Sequence, residues 1–313
     1  ESGVVAALHT GENNYKYHGH YDLGSFYIES NGARFFTDLG NENYELPNRQ
    51  YSYRIRAEGH NTLTINPSEE LDQKEGAECL ISDFSGGNEA YAVVDLTAAY
   101  EPSGAKSVVR GLKMIKDKEC VVVQDEISLN VPGDIYWFAH TKGLIEVSND
   151  GRSAVVIVGS EKMWVGLVGS EGKFTVMNAE PLPTSPVVPN QKDNSEYRKL
   201  AIHLTNTKEA TVSVVCIPLK QSEIKPSWIP SVKAISEWAP LTIEGDVNGD
   251  GEFGISDVVL LQKWMLSIPD TNLANWKAAD LCADDKLDAF DLCLMRQKLI
   301  YGYGRDNRRC WNA

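Results

Sequence analysis

The sequence has little positive charge for its length. Against 44 Asp and Glu it sets 30 Lys and Arg, leaving a formal net charge of −14 over 313 residues. Nucleic-acid binders need clustered Lys and Arg against phosphate, so that class is excluded. Long apolar runs are also missing: none reaches the roughly 18 residues that a helix needs to cross a bilayer. Cysteine is sparse. The six residues Cys79, Cys120, Cys216, Cys282, Cys293 and Cys310 form no Cys-x-x-Cys pair and no tight zinc spacing. A disulfide framework is therefore not indicated, and scattered buried thiols are expected. The first residues carry neither the basic stretch nor the apolar core of a signal peptide. That fits a cytosolic protein, a mature chain or an internal fragment, and a fragment is the expectation here.

What is present is enough apolar material for a core, 42% of residues, in two contrasting stretches. Residues 1–218 read as short strands, among them Tyr91–Leu96, Leu112–Ile115, Glu119–Val123, Ala154–Gly159, Met163–Val168, Lys199–Leu204 and Ala210–Ile217. They are rich in Val, Ile, Tyr and Thr and are separated by Gly, Asn, Asp or Lys turns, with Lys116–Lys118 as one hairpin tip. No amphipathic helix stands out before residue 220, so the expected fold class is mainly β, an antiparallel β-sandwich. Residues 180–197, with four prolines, read as an exposed loop. Residues 219–243, with Pro226, Pro230 and Pro240 around Trp228 and Trp238, read as a linker.

Residues 244–302 are acidic and carry a repeat offset by 34 residues, and 303–313 form a tail. Asp246, Asp250 and Asp257 correspond to Asp280, Asp284 and Asp291, and each half ends in an apolar helical run, Val258–Ile268 and Leu292–Ile300. In the first half Asp246, Asn248, Asp250 and Asp257 occupy positions 1, 3, 5 and 12 of a loop with Gly251 at position 6. Calcium takes six to eight hard oxygens, and the glycine permits the turn that gathers them. Glu252 at position 7 would offer its backbone carbonyl. A plain polar turn is the alternative. In the second half Asp280, Asp284, Asp288 and Asp291 keep carboxylates at positions 1, 5, 9 and 12. Cys282 at position 3 is a soft thiol and Asp285 replaces the glycine, so this loop binds calcium weakly or is held by packing.

Two such loop–helix halves with Asp at position 12 resemble a type I dockerin. The resemblance implies a small α-helical module that folds with calcium and binds a scaffoldin cohesin, in a secreted, extracellular cellulosome-type complex of an anaerobic bacterium. It further implies cohesin contacts at Ile255 and Ser256 and at Ala289 and Phe290. Because these pairs differ, the two-fold equivalence of binding faces found in many dockerins is not expected.

The second informative stretch is Tyr17-His18-Gly19-His20-Tyr21-Asp22. On a strand, residues 18, 20 and 22 would share a face. Downstream lie Asp38 in Thr-Asp-Leu-Gly and His60 in Gly-His-Asn-Thr. Two histidines and an aspartate can close on zinc and leave a fourth position open. Alone, a His-x-His pair is more often a solvated or core-satisfied feature than a site. Arg54 and Arg56 should share a strand face with Ser52 and could meet substrate carboxylates in bidentate fashion; a solvated face is the alternative.

The order His-x-His-x-Asp-x-x-Ser-Phe, Asp-x-Gly, His-Asn-Thr resembles the C-terminal sheet domain of the heparinase II/III-like polysaccharide lyases. Arg110-Gly-Leu with Val121-Val-Val-Gln-Asp125, and Trp137-Phe-Ala-His140-Thr, are similar to that family too. The resemblance implies β-elimination on an acidic, uronate-containing polysaccharide. It assigns His18 to the catalytic centre, gives His20, Asp38 and His60 to a zinc ion, and places Tyr44 near the substrate. For Tyr44 the alternative is an aromatic packed on the sandwich edge. It implies as well that an N-terminal α/α toroid completes the site, so this chain alone should be inactive or nearly so. The competing readings are a non-catalytic glycan-binding or structural sandwich delivered by the dockerin, and a glycoside hydrolase, for which no motif speaks.

Overall fold

A computed structural model describes residues 3–14, 18–86, 88–238, 243–250, 252–284 and 286–301. The expected tail 303–313, linker residues 239–242, Gly251 and Asp285 lie outside the described residues. The chain divides into two compact units. One comprises residues up to 84 together with 88–235, and the other the residues from 236 onward together with the short stretch 85–87.

The strands of the first unit are β1 (Val4–Leu8), β2 (Gly11–Glu12), β3 (Phe26–Ser30), β4 (Ala33–Phe36), β5 (Leu63–Ile65), β6 (Glu78–Cys79), β7 (Ile81–Ser85), β8 (Glu89–Asp95), β9 (Ala105–Ile115), β10 (Cys120–Thr141), β11 (Leu144–Val147), β12 (Ser153–Val158), β13 (Glu161–Leu167), β14 (Phe174–Asn178) and β15 (Arg198–Leu219). Among the described residues they form a ten-stranded antiparallel sheet, ordered β11-β12-β13-β15-β10-β9-β8-β7 with β14 beside β15 and β5 beside β10. A three-stranded sheet β1-β3-β4 and the pair β2-β6 complete the unit. The core lies between the large and small sheets: Phe26, Phe35 and Phe36 from the small one meet Val121, Trp137, Val156 and Met163 from the large one. Phe26 and Trp137 stack with ring centroids 5.5 Å apart. Alternation of buried and half-exposed residues along β3 follows from this two-layer arrangement.

Two features differ from the sequence reading. The runs 199–204 and 210–217 belong to one 22-residue strand, β15, and β10 is equally long. Register shifts between Ser128, Gly133 and Ile135 let the paired strands bend without parting. Each then changes partner along its length: β10 pairs with β9 near its start and with β5 at residues 135–137. The second difference is that residues 18–25 and 49–62 are not strands. Residues 49–59 fold as two single-turn 3-10 helices, Arg49–Tyr51 and Ala57–Gly59, joined by turns. Gly59 is required there, since a Cβ would sit 2.0 Å from the Tyr53 carbonyl oxygen. The residues of the expected linker up to 235 pack on the sheet unit, where Gln124 Nε2 donates to the Lys233 carbonyl and Ile235 N to the Glu126 carboxylate.

The first unit also holds the single-turn helix α1 (Thr97–Tyr100). The second unit contains α2 (Ile255–Met265) and α3 (Ala289–Tyr301), packed over Val247, Val258, Leu261, Ala279 and Met295. Helix α2 starts three residues before the apolar run because the Asp257 carboxylate reaches back to accept from Gly254 N at 2.9 Å. It stops before Ile268 as Ser267 turns left-handed, φ 52°. No helix among the described residues is long and apolar enough to cross a membrane.

Candidate functional site

His20 and His60 come together as expected. His20 Nδ1 lies 3.3 Å from His60 Nε2, and the other nitrogen of His60, Nδ1, is 2.7 Å from Asp38 Oδ2. Asp22 joins from the turn that follows His20, and donor atoms of His20, Asp22 and His60 lie within 4.8 Å of one another. His9 Nε2 holds Asp22 Oδ1 at 3.3 Å from the outer side. His60 is buried to 1% exposure, while His9 is open to solvent.

The electrostatics follow from this order. Burial and the neighbouring His60 press the His20 pKa down to about 4, so its ring is neutral near pH 7. Burial also opposes charge on His60, but the Asp38 carboxylate outweighs it and raises the pKa. Burial pushes Asp38 up, yet His60 and the Gly40 N–H draw it well below the usual carboxylate range.

These residues fit a metal ion. Arms of 2.0–2.1 Å in a tetrahedral zinc site put donor atoms about 3.3 Å apart, which is the His20–His60 separation. The arrangement differs from the expected ligand set in one position. With His60 Nε2 facing His20, Asp38 stands on the far nitrogen, where it orients the ring; the third donor atom within 4.8 Å of both belongs to Asp22.

His18 and Tyr44 also meet, although 26 residues separate them in the sequence. Their rings touch edge-to-face with centroids 5.0 Å apart. The expectation that His18, His20 and Asp22 share a strand face is corrected: His18 adopts a left-handed backbone, φ 69°, which swings it away from His20. Tyr44 is 55% exposed rather than packed on an edge. Sequence reasoning missed Arg49, whose guanidinium carbon lies 4.5 Å from the Tyr44 ring centroid. Its signal was only proximity, five residues after Tyr44.

Arg54 and Arg56 do not form a substrate-facing pair, because the segment is not a strand and both side chains are buried. Arg56 grips Asp72 through Nε and one terminal nitrogen, and each of these side chains is 1% exposed. Arg54 donates to Asn194 Oδ1 at 2.7 Å and to the Asp193 carbonyl at 3.0 Å. The proline-rich loop 180–197 is accordingly fastened down. Gln191 accepts from Tyr53 N, buried Glu42 accepts from Lys192 N, Glu58 accepts from Leu182 N, and Lys199 donates to the Glu180 carbonyl. His140, for which the sequence offered no role, lies fully buried with Nε2 2.8 Å from the Tyr53 hydroxyl.

In the second unit the two loops repeat one geometry. Asp257 Oδ1 accepts from Val247 N at 3.0 Å and Asn248 N at 3.1 Å. Asp291 likewise accepts from Cys282 N at 3.1 Å and Asp288 N at 3.0 Å. Asp246, Asn248 and Asp250 each accept from a backbone N–H two or three residues ahead, winding the first loop. Asp280, Asp284 and Asp288 wind the second by accepting from N–H groups four, two and two residues ahead. Glu252 is exposed beside the first loop. Ile255, Ser256, Ala289 and Phe290 are all exposed at the helix starts, Ile255 and Phe290 each to 72%.

Comparison with known proteins agrees with this architecture. Residues 4–226 match the family described as heparinase II/III-like, C-terminal, and residues 244–300 match the type I dockerin domain. A heparinase III gene product with methylated lysines is similar in fold, with 18% identity, a TM-score of 0.53 and coverage of 69% of this chain and 32% of that one. The heparan sulfate lyase HepC from Pedobacter heparinus gives 13%, 0.53, 69% and 33%. A further heparinase III gives 16%, 0.52, 69% and 33%. The chain thus spans about a third of the length of these structures. No curated protein sequence matches it. Type I dockerin domains bind calcium and pair with cohesins. With the family match extending over more than half of its residues, the chain belongs to the heparinase II/III-like family and carries a type I dockerin domain behind the sheet unit.

Proposed function

We propose that this chain is the sheet half of a polysaccharide lyase, delivered to a scaffoldin cohesin by its dockerin in a secreted complex. The observation that carries the proposal is the joint placement of two groups: a neutral, half-buried His20 against His60, and the His18–Tyr44 pair beside the same turn. A purely binding sandwich needs neither.

The reaction is a β-elimination on an acidic, uronate-containing polysaccharide. A base takes the C5 proton, its electron pair forms the C4–C5 double bond, and the C4–O4 bond breaks as an acid protonates the leaving oxygen. His18 and Tyr44 are the groups for these two proton transfers, Tyr44 being exposed and His18 in ring contact with it. His20, His60 Nε2 and Asp22 would hold a zinc ion, with Asp38 orienting His60. When bound, the ion supplies positive charge for the enolate-like charge that grows on the uronate. The family resemblance implies that an N-terminal α/α toroid supplies the rest of the substrate cleft, so the chain by itself should be inactive or nearly so. In the dockerin, Asp246, Asn248, Asp250, Glu252 and Asp257 hold the firmer calcium, and Asp280, Asp284, Asp288 and Asp291 a weaker one. Ile255, Ser256, Ala289 and Phe290 face the cohesin.

Metal analysis is the decisive experiment. About one zinc per chain, lost in His60→Ala, is expected; a chain that takes up no zinc sinks the catalytic reading and leaves a structural module. Near-UV absorbance with heparin, heparan sulfate, chondroitin sulfate, alginate and pectin tests the second claim. Rapid formation of unsaturated products by this chain alone would overturn its inactivity.

A further inference from the structure

The donors of the candidate metal site come from two loops, with Asp38 behind His60 on a third, and the spacing of all three is set from beneath. Arg110 on β9 faces Asp125 on β10 as a register pair, and both side chains are fully buried. Arg110 Nε and NH2 donate to the two Asp125 oxygens at 2.7 Å and 2.8 Å. This bidentate grip fixes the plane of the guanidinium. It leaves NH1, which donates to the Gly24 carbonyl at 2.6 Å and to the Asn61 carbonyl at 3.0 Å. Gly24 is two residues after Asp22, and Asn61 directly follows His60. One nitrogen therefore ties the loop of His20 and Asp22 to the loop of His60.

Asn61 extends the tie to the third loop. Its Nδ2 donates to the carbonyl of Thr37, the residue before Asp38, at 3.2 Å, and to Phe26 O at 2.8 Å. Its Oδ1 accepts from His140 N on β10 at 2.6 Å. Each of the three loops is thus anchored within two residues of its functional side chain, and every anchor leads to the Arg110–Asn61 pair. An ion pair that served stability alone would need only the Arg110–Asp125 grip. The NH1 contacts lie in a third direction, which a lysine ammonium at this position does not reproduce while also holding Asp125.

We infer that Arg110 is a positioning residue for the His20–Asp22–His60 site, with Asn61 as its extension and Asp125 as its clamp. The inference rests on the metal reading above. The expected consequence is a loss of metal affinity out of proportion to any loss of stability, since partners behind metal ligands typically contribute about 10–100-fold in affinity.

The test measures zinc affinity of the whole chain by competition with a chelator at fixed pH, and the visible spectrum of its cobalt(II) form. Arg110→Lys should weaken zinc at least about tenfold and lower the intensity of the cobalt bands as the tetrahedral geometry relaxes. Val214→Ala serves as the control: it opens the same buried core, lowers the melting temperature, and should leave zinc affinity unchanged. If Arg110→Lys does not fold, Asp125→Asn replaces it; releasing the clamp while keeping the guanidinium should give a smaller loss in the same direction. Zinc affinity equal to that of the unaltered chain, or reduced no more than in Val214→Ala, would overturn the positioning role. An unaltered chain that binds no zinc would overturn the metal reading and this inference together.

Discussion

Arg56 offers the clearest way to separate a residue that holds the fold from one that meets substrate. Its guanidinium and the Asp72 carboxylate are each 1% exposed. Asp72 also accepts from Glu58 N at 3.0 Å, and Arg56 donates to the Ser68 carbonyl at 3.3 Å. Asp72→Ala leaves a buried cation without its counter-charge and an N–H without its acceptor. Breaking a buried pair from one side costs about 3–5 kcal/mol. For a unit of this size each kcal/mol is worth about 2–4 °C, so the calorimetric transition of the sheet unit should fall by about 6–20 °C at neutral pH. Replacing both partners removes the stranded charge. Arg56→Met with Asp72→Leu should therefore recover most of that loss, because buried pairs are often close to neutral against apolar substitutes. A shift below about 2 °C in Asp72→Ala, which corresponds to under about 1 kcal/mol, would refute the structural assignment. So would a double variant no more stable than the single one.

The metal placement predicts an order of effects. Asp22→Asn removes a donor and should cost more zinc affinity than Asp38→Asn, which loosens the His60 ring and should cost about 10–100-fold; chelator competition reads both, and the reverse order would return Asp38 to the ligand set. Calcium removal by EGTA should lower the helical circular dichroism of the dockerin unit reversibly, and Asp257→Ala should do so even at saturating calcium, since it strips the acceptor from Val247, Asn248 and Gly254 N–H groups; an unchanged spectrum in either case contradicts the loop assignment. In the metal-free chain the Asp38–His60 pair should contribute most to stability between about pH 4 and 6.5. The lowered Asp38 pKa contributes above the unfolded carboxylate value and is lost in acid, and the raised His60 pKa contributes below the unfolded histidine value and is lost as pH rises through the folded one. The loss of urea midpoint caused by Asp38→Asn should therefore be larger at pH 5 than at pH 8, and an equal loss at both would show that the pair carries no such contribution.

The fold class was legible because β-branched runs and turn residues alternate along the first 218 residues, and the acidic repeat was legible because calcium loops fix both residue type and spacing. Strand continuity was not: Thr205–Lys208 carries turn-type residues, and only pairing of β15 with β10 shows that the chain runs on through them. Nor was the state of residues 49–59. The alternation Ser52-Tyr-Arg54-Ile-Arg56 has the period of a strand, but its arginines are held by Asp72 and Asn194, which lie 16 and 140 residues away. Contacts of such range leave no local pattern. For the same reason His20 and His60 were found from motif order, while the approach of Asp22 to both, with Asp38 on the far nitrogen of His60, shows only in three dimensions.

This burial of arginine bears on how an acidic chain could meet an acidic polymer. With a net charge of −14 the global field repels such a partner, and the attraction has to be local. Arg54, Arg56 and Arg110 do not supply it, since their forks are closed on Asn194, Asp72 and Asp125. Arg49 lies under the Tyr44 ring and is itself buried. Among the described residues at the site, what remains is the pocket of His20, Asp22 and His60, where a divalent cation facing a neutral His20 and the single carboxylate of Asp22 would keep part of its charge. Over the roughly 8–10 Å of a Debye length in physiological salt, that single centre dominates the more distant carboxylates. The site's affinity for a uronate should therefore depend on the metal far more than on any arginine of this chain.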